Sequence, residues 1–72
     1  MSNIENILPL VITDEKGSII DVTFINNKGY KKSIETGVLW VIHPKRGRLL
    51  PYKKDISFIS LTSGEKWYQA VI

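Results

Sequence analysis

The stretch Ser18-Ile19-Ile20-Asp21-Val22-Thr23-Phe24-Ile25-Asn26-Asn27 decides how this chain is read, because the pattern of its apolar residues changes partway along it. From Ser18 to Ile25 the residues alternate. Ile20, Val22 and Phe24 fall on one side of an extended strand, and Ile19, Asp21, Thr23 and Ile25 on the other. The three-residue apolar set is expected to face the core. From Asn27 the spacing becomes helical: Tyr30 and Ile34 stand four apart, Asn26 and Asn27 are good capping residues, and Gly37 can close a helix in the left-handed conformation. A helix is therefore expected over residues 27–36, although Gly29 disfavours its first turn. A strand running straight into a helix is the first mark of an α+β domain.

Outward from this stretch, Ile7 to Thr13 is almost wholly apolar, and Asp14-Glu15-Lys16-Gly17 makes a polar break into the alternating strand, which predicts a hairpin. Pro9 cannot donate to a ladder, so the first strand is expected at an edge or bulged there. Val38 to His43 is a β-branched and aromatic run that reads as a central strand buried on both faces. The loop His43-Pro44-Lys45-Arg46-Gly47-Arg48 ends it, and Leu49-Leu50-Pro51-Tyr52 reads as a short packed connection. Ile56 to Thr62 and Lys66 to Ile72 flank Ser63-Gly64-Glu65 as a second hairpin. The expected architecture is α+β: a small antiparallel sheet of about five strands in the order β-β-α-β-β-β, with one helix packed on one face.

At 72 residues the chain has room for one domain, residues 1–72. A domain of this size buries only about 60% of the surface its unfolded chain exposes, so its core needs either very good packing or a partner subunit. Cysteine is absent, which removes disulfides and thiolate metal sites as reinforcement. A homodimer is expected, with the Pro9 strand or the strand ending Ala70-Val71-Ile72 as its seam. The first residues, Met1 to Asn6, are polar and form no leader pattern, and no apolar run approaches the roughly 20 residues of a membrane span. The expectation is a cytoplasmic protein with no membrane role.

The net charge is +3, but it is unevenly placed: eight basic residues and one acid, Glu35, lie between Lys28 and Lys54. Such asymmetry fits either an electrostatic footprint for phosphate-bearing ligands or a solvated face kept for solubility. Lys31, Lys32, Lys45, Arg46, Arg48, Lys53 and Lys54 are the candidate nucleic-acid or phosphate contacts. Arg46 and Arg48 around Gly47 could grip phosphate oxygens with paired N–H donors. Trp40, Tyr52, Trp67 and Tyr68 could stack on bases, but in so small a domain the tryptophans are read as core. Asp14, Glu15 and Asp21 are read as turn-forming residues near the first hairpin, and His43 as a half-exposed histidine at a strand end. One histidine and no cysteine leave no protein-only zinc site and no nucleophile–base pair, so no catalytic residues, metal or cofactor are expected.

Four landmarks together resemble one family. Ile7-Leu8-Pro9-Leu10-Val11-Ile12-Thr13-Asp14, Phe24-Ile25-Asn26, Ile34-Glu35-Thr36-Gly37 and Arg46-Gly47-Arg48-Leu49 are similar, in nearly collinear spacing over residues 7 to 50, to the N-terminal half of phosphoribosyl-AMP cyclohydrolases. His43-Pro44-Lys45-Arg46 stands where that family carries Ser-Arg-Ser-Arg, and Leu50 where it carries tryptophan. The family's later aspartate-rich and cysteine segments, which hold its magnesium and zinc, have no counterpart here. The resemblance implies a truncated, catalytically inactive relative that keeps the fold of the first half, and the family's intertwined homodimers agree with the size argument. Three readings stay open: a dimeric, non-enzymatic module with a basic surface for nucleic acid; a protein-interaction module using its edge strands; and a residual nucleotide-processing enzyme.

Overall fold

A computed structural model of the chain describes residues 7–43, 45–53 and 56–72. The elements run β1 (Leu8–Thr13), β2 (Ile19–Ile25), α1 (Asn27–Thr36), β3 (Trp40–Ile42), β4 (Leu49–Pro51), β5 (Ser60–Ser63) and β6 (Tyr68–Val71). All strands join one curled sheet in the order β4-β3-β2-β1-β6-β5. The class is α+β, as expected, but the described residues form six strands rather than about five, and the sheet is not wholly antiparallel, because β6 returns parallel to β1.

Local chemistry explains the well-read elements. At the first hairpin the Asp14 carboxylate accepts from the backbone N–H groups of Lys16 and Ser18, both at 2.9 Å, while Gly17 takes φ of +89°. The helix starts where Asn26, in extended conformation, accepts from the Gly29 N–H at 2.8 Å. It stops at Gly37, φ +77°, whose N–H donates to the Ser33 carbonyl. Its inner side carries few large residues. The Tyr30 ring lies 5.5 Å from that of Tyr68, and the fully buried Ser33 hydroxyl donates to the Gly29 carbonyl and accepts from the Trp40 N–H. Small residues at 29 and 33 let the helix backbone approach β3 and β4.

The core is made of Leu10, Ile12, Ile25, Leu39, Val41, Leu61, Tyr68 and Ala70. This corrects the side assigned to β2. Thr23 and Ile25 are buried, whereas Ile20, Val22 and Phe24 are 48%, 53% and 42% exposed. β2 is apolar on both sides, so its own alternation does not choose one. Its neighbour chooses: β1 sets Leu10 beside Thr23, and the helix that follows Ile25 covers that same inner face.

Other expectations are also corrected. Leu49–Pro51 is a strand paired with β3, not a connection. β3 is interior to the sheet but only second from its edge. β1 is paired on both sides, and its irregularity lies between Ile12 and Thr13 rather than at Pro9. Pro9 is tolerated because the β6 ladder begins one residue later, at Leu10 opposite Tyr68. Since β1 and β6 are both interior, neither is a free seam; the edges are β4 and β5. The tryptophans are not core: Trp40 is half-buried and Trp67 is 48% exposed.

Candidate functional site: a basic hairpin tip and the pocket at its base

β3 and β4 form a hairpin whose ladder continues to the His43 N–H, which donates to the Arg48 carbonyl at 3.1 Å. Beyond it the chain turns back on itself. The His43 carbonyl accepts from Arg46 and Gly47, and Gly47 takes φ of +64°. The turn leaves the side chains of Lys45, Arg46 and Arg48 exposed, with no ion-pair partner among the described residues. The loop is where the sequence placed it, and its three cations share one tip.

The remaining predicted contacts separate from this tip. Lys53, exposed just beyond β4, holds its ammonium 5.5 Å from the Tyr52 ring centre. Lys31 and Lys32 belong to α1, and Lys32 lies 4.1 Å from the Trp40 ring centre at the other end of β3. The Trp40 indole N–H donates to Thr36 Oγ1 at 3.1 Å, so this tryptophan is engaged by the helix. Lys54 lies outside the described residues. Trp67 lines a shallow groove with Thr62, Ser63 and Gln69 on β5 and β6, at the sheet edge farthest from β4. Trp67 thus lies apart from the hairpin tip, whereas Trp40 and Tyr52 are each in contact with a lysine.

Sequence reasoning missed a pocket at the base of the hairpin. It has a volume of about 280 Å³ and is lined by Asp21, Val22, Thr23, Val41, His43, Tyr52 and Lys53. The register explains how they meet: Phe24 pairs with Ile42, which brings Thr23 beside His43, and the Tyr52 N–H donates to the Leu39 carbonyl, which extends β4 along β3. The Tyr52 hydroxyl donates to Asp21 Oδ2 at 2.8 Å, while Asp21 Oδ1 accepts from the Val22 N–H. Burial first, and then the bond to the Asp21 carboxylate and its charge, push the Tyr52 hydroxyl up to about 12. Tyr52 is thus held protonated and is a poor proton donor to a substrate at neutral pH. Asp21 is not a turn residue, as its sequence position suggested, but one wall of this pocket. Among the described residues no group of three or more His, Cys, Asp or Glu side chains could hold a metal ion, and no helix is long and apolar enough to cross a membrane.

Fold and site together define an α+β sheet that carries, among the described residues, one helix and a pocket beside a basic hairpin. No family model matches the chain. The histidine biosynthesis bifunctional protein HisIE of Pyrococcus furiosus is 30% identical over 43 residues, covering 60% of this chain and 21% of that protein. The chain is thus distantly similar to a histidine-biosynthesis protein and spans about a fifth of its length.

Proposed function

We propose that this chain is a binding module on a cyclohydrolase-like scaffold, without catalytic activity of its own, and that the β3–β4 hairpin tip contacts an anionic partner, nucleic acid foremost. The observation that carries this reading is the set of three exposed cations, Lys45, Arg46 and Arg48, which have no ion-pair partner among the described residues, on a turn closed by bonds from the Arg46 and Gly47 N–H groups to the His43 carbonyl. Guanidinium and ammonium groups so placed release condensed counterions on meeting a polyanion, and binding then falls steeply with salt and depends little on base identity. The position of Trp67 on the β5–β6 side of the sheet favours phosphate contact over base stacking as the source of affinity.

The test is titration with single-stranded and duplex oligonucleotides at low salt. We expect modest affinity for both. Replacing Arg46 and Arg48 by alanine should reduce the salt slope by about one unit for each phosphate that is no longer neutralised. If neither oligonucleotide binds, or if binding is unchanged without both arginines, the tip is a solvated face. A protein partner then becomes the leading reading. It is favoured by the exposed outer side of β2, which a second copy of the chain could cover. Turnover of phosphoribosyl-AMP abolished by a chelator would instead support the residual-enzyme reading that the similarity to HisIE suggests.

A further inference from the structure

We infer that the pocket between Asp21, His43, Tyr52 and Lys53 is a binding site for a small hydroxylated oxyanion, such as a compact phosphomonoester, distinct from the hairpin-tip contact. The Tyr52–Asp21 bond joins residues 31 apart in sequence, which a purely structural tie would explain. A tie needs only those two side chains. It does not need an open volume of about 280 Å³, or His43, Lys53 and Thr23 facing the same space.

The donors identify the charged part of the ligand. The Lys45 N–H donates to His43 Nδ1 at 3.3 Å, so in the neutral imidazole the ring proton sits on Nε2, which leaves that nitrogen as a donor. Lys53 adds an ammonium at the rim, and its position over the Tyr52 ring keeps it near the pocket. Among the described residues one carboxylate stands against these, Asp21, whose two oxygens already accept from Val22 and Tyr52. Each oxygen keeps a further lone pair, so Asp21 repels a bare anion but accepts from a ligand hydroxyl. The preferred ligand carries an oxyanion toward His43 and Lys53 and a hydroxyl toward Asp21. The volume limits it to a small molecule.

The probe is glycerol 3-phosphate, with inorganic phosphate and glycerol as the separated halves, followed through backbone amide resonances in NMR. Saturable shifts at Asp21, Thr23, His43 and Lys53 are expected with glycerol 3-phosphate, weaker ones with phosphate, and none with glycerol. His43→Gln and Lys53→Met should each weaken binding by about tenfold, the size of one hydrogen bond to a charged group. Arg46→Ala with Arg48→Ala should leave this binding intact while changing the oligonucleotide titration, so the two sites fail or succeed separately. The inference is overturned if wild-type protein shows no saturable shift at these residues, if both pocket variants bind unchanged, or if phosphate and glycerol 3-phosphate bind equally. It is also overturned if binding disappears with the tip arginines, which would place the anion there.

Discussion

Gly29 counted against the helix in the sequence, and the structure shows why it is there. A Cβ added at this position would stand 2.8 Å from Leu49 Cδ1 and 3.1 Å from Ile25 Cγ1, so the first turn of α1 passes close under β4. Alanine would gain about 1 kcal/mol of helix propensity but push the flexible end of Leu49 aside, two effects of opposite sign. A branched side chain has no such compensation. Gly29→Val is expected to lower stability by roughly 1–3 kcal/mol, the usual cost of overpacking, measured by urea unfolding with an unchanged m-value. A variant as stable as the parent would mean that β4 lifts away from the helix with ease.

The tie between β2 and the chain beyond β4 is an element-scale feature with a pH signature. The Tyr52 hydroxyl is pushed from its ordinary 10.0 up to about 12, so the fold favours its protonated form. The stability this adds is fully present below pH 10.0 and is lost as pH rises through about 12. Tyr52→Phe should therefore be less stable than the parent near neutrality, and the difference should shrink across that alkaline window, as followed by denaturant unfolding at stepped pH. A constant difference would mean that neither burial nor the bond to Asp21 holds the hydroxyl protonated beyond its ordinary range. At the same scale lies the boundary of what was legible. The helix, its caps, the Asp14–Gly17 turn and the basic loop are written in consecutive residues, so the sequence displays them. β4 is three residues long, too short to show a period, and the β1–β6 pairing has no local signal at all. The hairpin-tip cations could be picked out as a loop for the same reason. The pocket could not, because only the strand register brings Asp21, His43, Tyr52 and Lys53 together.

For the molecule as a whole, the helix covers one side of the sheet and leaves the other with an apolar strip of Ile20, Val22 and Phe24. Pro9 lies across from Phe24, and Val11 across from Val22, and neither adds charge. We propose that a homodimer forms through this strip rather than through a strand edge, with two sheets packing face to face. Val22→Lys should shift light-scattering mass from dimer to monomer at micromolar concentration while leaving the monomer fold intact, since the side chain is half exposed. A parent protein that is monomeric over a wide concentration range counts decisively against this.

The parallel pairing of β1 with β6 has a consequence in time. β1 and β2 can close as a hairpin early, but the other flank of β1 is filled only by residues 68–71, almost the full length of the chain away. Contacts of such separation form late and slowly. Until they form, β1 offers unmet amide and carbonyl groups between apolar side chains, the kind of open flank on which extended segments of other molecules dock. For a newly made chain, the wait for β6 is an interval of exposure to aggregation, and factors that hold nascent chains would act on it there.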